Sequence, residues 1–238
     1  MILSNKKAIV LGGTSGIGLA TSALLSEQGA NVTVAGRSPE NQKRAKDALD
    51  KSVEVIQLDV LDRKQMQNAF ESLAPLDIII NAATGGERAT GPFLSMDLDG
   101  FEGSFRKLWG YVNSVRLGAP LMNENGSIVL VSGSPARKCP PGFSAISTVG
   151  NAVEGFCKAV APEIAPVRIN VISPGFIDTP MFSAEGDARD KFFQTATANN
   201  IIKRPGKPHE VAEAILFVVK NDFVTGTIVD VDGGALLP

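Results

Sequence analysis

A glycine-rich turn near the start constrains this chain more than any other feature. The segment Gly12-Gly13-Thr14-Ser15-Gly16-Ile17-Gly18 follows the apolar run Ala8-Ile9-Val10-Leu11 and opens a helical stretch ending at Gln28. Strand, glycine turn and helix in that order suit a dinucleotide: glycines let backbone approach a pyrophosphate, and the helix start offers unpaired N–H groups and a positive dipole end. A glycine motif alone is weak evidence. Here a second strand, Asn31 to Ala35, ends at Gly36-Arg37-Ser38, about where such folds read the adenosine ribose. NAD readers usually place a carboxylate there. Gly36 carries none, and the Arg37 guanidinium suits a 2′-phosphate through paired, charge-assisted hydrogen bonds. The expected cofactor is therefore NADP(H) rather than NAD(H), the bland alternative being that Arg37 is a solvated loop charge.

Short apolar runs alternate with helical stretches along the whole length, the pattern of a parallel sheet covered on both faces. Strands are expected at Lys7 to Leu11, Asn31 to Ala35, Val53 to Leu58, Asp77 to Asn81, Ser127 to Val131, Val167 to Ile172 and Thr227 to Val231. Helices are expected near Gly16 to Gln28, Glu40 to Asp50, Arg63 to Leu73, Leu98 to Met122, Val149 to Ala165 and His209 to Lys220. The fold class is α/β: a single-domain Rossmann fold over residues 1–238, with a doubly wound seven-stranded parallel sheet. Residues 176–204 hold no strand pattern, are helix-compatible around Asp187 to Asn199, and read as a lid over the strand ends.

Composition removes several classes of partner. With 238 residues and a formal charge of −2, the chain can bury one sizeable core and has no general attraction for nucleic acid or anionic lipid. No apolar stretch approaches a membrane span and Met1 to Lys7 has no signal-like core, so a cytoplasmic protein with small-molecule partners is expected. Cys139 and Cys157 lack metal spacing, His209 is the only histidine, and no metal is expected.

Further motifs extend the first. Gly12-x-x-x-Gly16-x-Gly18, Leu58-Asp59-Val60, Asn81-Ala82-Ala83, Arg168-Ile169-Asn170 and Pro174-Gly175-Phe176-Ile177-Asp178-Thr179 together resemble the short-chain dehydrogenase/reductase family. So does the tail, from Arg204-Pro205-Gly206-Lys207-Pro208 to Asp232-Gly233-Gly234. The resemblance implies cofactor roles for Gly12, Thr14, Ser15, Gly16, Ile17, Gly18, Arg37 and Ser38. It implies adenine contacts for Asp59 and Val60, cofactor lining by Asn81, Ala82 and Ala83, and a nicotinamide site at Pro174, Gly175, Ile177 and Thr179. Asn81 and Asp59 also have an ordinary reading as strand-end turn residues. A homodimer or homotetramer is implied, paired through the long helices from Leu98 and Val149.

The catalytic positions depart from the family pattern. An ungapped register puts the family serine at Gly133, its tyrosine at Ile146, its lysine at Gly150 and its helix asparagine at Lys107; Leu11 replaces the usual threonine before the glycine turn. A three-residue slip places Phe143 and Ser147 at the tyrosine and lysine positions instead. Either register lacks the phenol and the ammonium that the family uses to protonate a carbonyl oxygen. Lys107 is the candidate replacement: a buried ammonium beside a cationic nicotinamide has a lowered pKa suited to moving a proton. Its ordinary reading is a lysine snorkelling to solvent. Ser132 and Ser134 are candidate oxygen-binding hydroxyls, with Arg137, Phe143 and Ile146 as substrate contacts. Tyr111, the only tyrosine, reads as a core or interface aromatic.

The expected activity is NADP(H)-dependent interconversion of a carbonyl and an alcohol on a small, fairly apolar substrate. The loop Thr84 to Pro92, the segment Ser134 to Phe143 and the lid would form its site, with Phe93, Phe143, Phe182, Phe192 and Phe193 as apolar wall. A dehydratase or isomerase using Lys107 as base, and a catalytically silent NADP(H)-binding protein, are the alternatives on the same fold.

Overall fold

A computed structural model describes residues 1–86 and 88–238. Its strands are β1 (Lys7–Leu11), β2 (Asn31–Gly36), β3 (Glu54–Gln57), β4 (Leu76–Asn81), β5 (Met122–Val131), β6 (Arg168–Pro174) and β7 (Ile228–Val231). They form one seven-stranded sheet in the order β3-β2-β1-β4-β5-β6-β7, parallel throughout. The helices are α1 (Gly16–Glu27), α2 (Pro39–Ala48), α3 (Arg63–Leu73), α4 (Leu98–Ser104), α5 (Arg106–Gly118), α6 (Pro135–Lys138), α7 (Ser144–Val160), α8 (Gly186–Ala196) and α9 (Pro208–Lys220).

Alternation along the strands builds two cores. Val10, Ile78, Ile80, Val129 and Ile172 face one layer with Leu25 of α1 and Val211 and Ile215 of α9. Ile9, Leu11, Ile79, Ile128 and Leu130 face the other, with Phe70 of α3, Tyr111 and Val115 of α5 and Val153 and Cys157 of α7. Successive side chains of a strand point to opposite faces, so a run apolar at every position is required when helices cover both. Burial of each such side chain contributes about 1.5–3 kcal/mol relative to exposure.

Local chemistry explains where the elements depart from expectation. The single helix expected over Leu98 to Met122 is broken at Phe105. There the Ser104 hydroxyl bonds back to the Gly100 carbonyl at 2.9 Å and accepts the Ala89 N–H at 3.0 Å, which docks the loop after β4 on the break. Helix α7 begins at Ser144, earlier than expected, because Pro140-Pro141-Gly142 turns the chain with Gly142 at φ +81°. The four-residue α6 is too short to leave a periodic signal. Among the described residues, no helix is long and apolar enough to cross a membrane, and no cluster of His, Cys, Asp and Glu could hold a metal ion.

The strand order reverses at β1, whose end pairs with β2 on one side and β4 on the other: Leu11 lies opposite both Ala35 and Asn81. Ligands of open parallel sheets bind in the crevice outside such a switch point.

Candidate functional site

The nucleotide side of the crevice is backbone pressed against backbone. Gly12 (φ +74°) and Gly16 (φ +52°) adopt a conformation that side chains disfavour. A methyl group on Gly12 would lie 2.6 Å from the Ala83 nitrogen, and one on Gly18 would overlap the Gly12 carbonyl oxygen. Ser15 caps α1 with extended backbone and no side-chain bond, and its carbonyl accepts the Leu19 N–H at 3.1 Å, so the N–H groups of Gly16, Ile17 and Gly18 have no partner within the helix. The Asn81 amide is fully buried; it donates to the Gly110 carbonyl (3.2 Å) and Ser114 Oγ (3.0 Å), and its oxygen accepts the Ala83 N–H (3.1 Å). Asn81 thus fixes the turn Asn81-Ala82-Ala83 to α5, and its side chain has no donor left for a ligand.

At the end of β2, Thr14 packs on Gly36 so closely that a Cβ there would overlap the Thr14 hydroxyl. A carboxylate-bearing residue does not fit at position 36. Next along the chain, Arg37 extends half-exposed across the crevice, 3.9 Å from Asp59 Oδ2 and 3.4 Å from the Gly85 carbonyl. Ser38 has a structural task, since its hydroxyl accepts the Asn41 N–H at 3.3 Å and caps α2. Asp59 Oδ1 accepts the Leu61 N–H at 3.0 Å, and Val60 is buried against Gly110 of α5 with its carbonyl bound by Asn113 at 2.9 Å. Asn113, absent from the sequence reading, therefore positions the adenine-side wall.

The segment after β6 closes the crevice from the other side. Gly175 approaches Asp232 so tightly that a Cβ would lie 2.8 Å from its Cα, and the Gly175 N–H donates to Val231 at 3.0 Å. Ile177 is buried and bridges to Gly206, while Thr179 packs within 3.2 Å of where a Gly16 side chain would begin. Pro174, Gly175, Ile177 and Thr179 are thereby brought onto the glycine turn. Beyond them Phe176, Phe182, Phe192 and Phe193 form one aromatic cluster, with ring centroids 5.0–6.1 Å apart. Arg189 pins this segment by donating to Asp178 Oδ1 at 3.0 Å and the Thr179 carbonyl at 2.9 Å, with its guanidinium 5.1 Å from the Phe193 ring centre.

The chemistry side is a small cavity of about 50 Å³, lined by Thr84, Arg88, Ser104, Lys107, Ser132, Gly133, Pro135, Ile146, Val149 and Gly150. Gly133, Ile146, Gly150 and Lys107, which the ungapped register assigned to the four family positions, all lie on it. Neither Phe143 nor Ser147, the positions of the three-residue slip, does. A Cβ on Gly150 would meet the Ala136 Cβ at 2.8 Å, and the Ser132 hydroxyl donates to the Gly150 carbonyl at 3.3 Å. Helix α6 has closed the space that a lysine at 150 would enter.

Lys107 is the ammonium in this cavity. Its Nζ donates to the Ser132 carbonyl at 3.2 Å and lies 5.6 Å from the centre of the Tyr111 ring. Desolvation, reinforced by the nearby Arg88 charge, lowers its pKa to about 7. Tyr111 itself is buried, donates its hydroxyl to the Val131 carbonyl at 2.7 Å and is held neutral by burial, so it is a core residue under the lysine. Arg88 reaches the cavity because Gly85 and Gly86 press its loop flat on α5: a Cβ on Gly85 would lie 2.7 Å from the Arg106 carbonyl oxygen and 2.9 Å from the Lys107 Cα. Arg88 belongs to the loop assigned to substrate but was not singled out, since a lone arginine in a polar loop has no distinguishing pattern; Glu87 of that loop lies outside the described residues.

Three further sequence expectations are corrected. Arg137 is not placed to anchor a substrate: it forms a two-pronged ion pair with Asp230 of β7 and lies 3.3 Å from Glu154 of α7. Ser134 lines no part of the cavity, and its N–H is taken by the Pro174 carbonyl at 2.8 Å. Of the five phenylalanines expected to form one wall, Phe93 packs on Phe101 of α4 and Phe143 starts α7, leaving only Phe182, Phe192 and Phe193 together.

Comparison with known proteins agrees with this layout. The family model described as enoyl-(acyl carrier protein) reductase matches residues 12–235. The short-chain dehydrogenase/reductase malC of Malbranchea aurantiaca is 28% identical, over 99% of this chain and 96% of its own. Its structure, described as MalC reductase/Diels-Alderase, superposes with a TM-score of 0.91 over 100% of this chain and 98% of that one. The 3-oxoacyl-[acyl-carrier-protein] reductase FabG of Thermotoga maritima is 31% identical over 100% of both chains. A small-chain dehydrogenase solved in complex with NADPH is 30% identical, covering 99% of this chain and 100% of that one, with a TM-score of 0.81. With a glycine turn at the sheet's switch point, a closing segment after β6 and matches spanning nearly its whole length, the chain belongs to the short-chain dehydrogenase/reductase family.

Proposed function

We propose that the protein is an NADP(H)-dependent oxidoreductase that interconverts a carbonyl and an alcohol, with Lys107 moving the proton. The observation that carries this is the Lys107 ammonium inside the cavity lined by Gly133, Ile146 and Gly150, the positions to which the ungapped register assigns the family's serine, tyrosine and lysine.

The residues present fit the cofactor. The Gly12, Gly16 and Gly18 turn is packed so closely on Ala83, Thr179 and itself that a Cβ at any of the three would press on protein atoms, and the N–H groups of Gly16, Ile17 and Gly18 at the start of α1 have no partner within the helix and suit a pyrophosphate. Thr14 excludes a carboxylate at position 36, and Arg37 beside it supplies a positive group suited to a 2′-phosphate. The NADPH held by the small-chain dehydrogenase that this chain matches almost end to end supports the same choice. Asp59, Val60, Asn81, Ala82 and Ala83 would wall the adenosine side, and Pro174, Gly175, Ile177 and Thr179 the nicotinamide side.

When bound, the reduced cofactor supplies hydride to the substrate's carbonyl carbon. Lys107 donates the proton that the carbonyl oxygen requires and is left as a neutral amine, a form that its pKa of about 7 makes accessible. The Ser132 carbonyl orients the ammonium, and the Ser132 hydroxyl braces α7 rather than the substrate. Ile146 and Val149 keep water from the reacting atoms. The segment 176–204, tied down by Arg189, acts as the lid. The outer face of α5, where Trp109 is 53% exposed, supports assembly into a dimer or tetramer.

The test is a side-by-side fluorescence titration of NADPH and NADH with wild type and Arg37→Glu, followed by hydride transfer from labelled NADPH to a carbonyl panel. Wild type is expected to bind NADPH at least about tenfold tighter than NADH, and Arg37→Glu to lose that preference. Binding of neither nucleotide, or turnover that needs none, would overturn the redox reading in favour of a non-redox enzyme.

A further inference from the structure

The cavity under Lys107 is short of negative charge. Its described lining holds two cations, Lys107 and Arg88, and no carboxylate. Packing of the Gly85-Gly86 backbone on α5 forces the two together, so their proximity is built into the fold. Arg88, exposed at the mouth of the cavity, adds its charge to the desolvation that disfavours the Lys107 ammonium, and an anion lying between the two cations would offset that repulsion.

Arg88 is also poorly matched by the protein. Among the described residues its guanidinium meets a single acceptor, the thioether of Met181 at Nη1, and a thioether is a weak acceptor. Other arginines, whether buried like Arg168 or more exposed like Arg137, meet stronger acceptors. Arg137 meets Asp230 and Glu154, Arg168 donates to the Val218, Val219 and Val224 carbonyls, and Arg189 meets Asp178 and backbone oxygens. Arg88 keeps a fork of donors suited to a carboxylate and carries it at the mouth of the site.

On the reading that the enzyme reduces a carbonyl, we infer that its substrate is an oxo acid, with the carbonyl oxygen at Lys107 and the carboxylate on the Arg88 guanidinium. A cavity of about 50 Å³ accepts only the polar end of such a molecule. The rest of the chain passes Met181 toward the aromatic cluster that begins at Phe182, which accommodates an apolar tail. In the reduction, hydride from NADPH forms the new C–H bond and the C=O π pair takes the Lys107 proton. The products are the hydroxy acid and NADP⁺, the carboxylate is unchanged, and the neutral Lys107 amine regains a proton from solvent.

The test compares straight-chain oxo acids of increasing length with their methyl esters, measured by calorimetry on NADP⁺-loaded protein and by NADPH consumption. At least one acid is expected to bind about tenfold or more tighter than its ester. Arg88→Gln is expected to bring that ratio close to one, while Arg88→Lys, which keeps the charge and serves as the folded reference, retains part of it. Esters that bind as well as acids, no binding of any acid, or a ratio that survives Arg88→Gln would each overturn the inference. Esters reduced as fast as acids would leave the carbonyl-reductase reading standing without the oxo acid. Acid-selective binding with no NADPH consumed would keep the anion site and remove hydride transfer.

Discussion

At the ends of β1, β2 and β4 the crevice is shaped by backbone; at the end of β5 it is shaped by side chains. On the nucleotide side the glycines of the turn, Gly36 under Thr14 and the Asn81-braced loop each answer a steric demand that only one or two residue types meet. On the chemistry side the requirement is for a proton and an oxygen-binding group, which more than one arrangement can supply. Gly133, Ile146 and Gly150 line the cavity without a phenol or an ammonium of their own, and Lys107 with Arg88 brings charge there from α5 and the loop after β4. A backbone-determined site resists substitution, whereas a side-chain site can be rebuilt around the same cofactor.

The sharpest way to break that comparison is Gly18→Ala. The new methyl group overlaps the Gly12 carbonyl oxygen, so the turn must shift or the first helix must move. NADPH affinity is expected to fall by about a thousandfold or more, equivalent to about 4 kcal/mol, as read by titration. Near wild-type affinity would mean that the nucleotide side is as tolerant as the chemistry side.

Next in size is Lys107→Met, expected to lower turnover by about a hundredfold while NADPH still binds. Its pH signature has a defined sign. Because burial and Arg88 hold Lys107 near 7, the protonated donor is present below that value, and reduction slows as pH rises through about 7. Alcohol oxidation, which needs the neutral amine, speeds up over the same range. Lys107→Arg, charged throughout, should show neither limb. Stability runs by the linkage of a base whose folded pKa is depressed: the penalty for the ammonium is fully present below about 7 and is relieved as pH rises toward the lysine value of roughly 10.4 in the unfolded chain. Lys107→Met is therefore expected to raise the melting temperature at acidic pH and to lose that advantage in base. A pH–rate profile unchanged by Lys107→Arg would remove the lysine from proton transfer.

Gly150→Lys asks whether the family's arrangement can be put back. Its Cβ would begin 2.8 Å from that of Ala136, so the side chain is overpacked against α6 before its ammonium reaches the cavity. A loss of about 1–3 kcal/mol in denaturant unfolding is expected, with no gain in turnover even when combined with Ile146→Tyr. Restored activity in the double variant would mean that α6 yields and that the rebuilt site lies close to the old one.

These contrasts also explain what could be read from the chain alone. The glycine turn and the seven strands were legible because steric and hydrophobic demands leave a mark at each position, and β1 and α3 fall on their expected residues. The closing role of α6 was not, since four residues carry no period and Ala136 looks like any alanine until it lies against Gly150. Arg137 was misread for the opposite reason: a cation beside the active segment resembles a substrate anchor, and only the fold brings Asp230 and Glu154 to it from distant strands and helices. Arg88 gained meaning only when two glycines in its loop proved to be pressed against α5.

The smallest predicted effect concerns a glycine on the chemistry side. Gly155, in the exposed face of α7, would place a Cβ with nothing within 4 Å, unlike Gly12 or Gly18. A helix-interior glycine costs about 0.5–1 kcal/mol relative to alanine, so Gly155→Ala should stabilise the isolated chain by that amount without changing NADPH affinity. The result also bears on assembly. A second copy packed closely on α7 would occupy the open space, and the methyl group would then lower stability and shift the sedimentation coefficient toward monomer. A gain in stability at constant sedimentation would place the contact between copies elsewhere, leaving α5 with its exposed Trp109 as the face to substitute next.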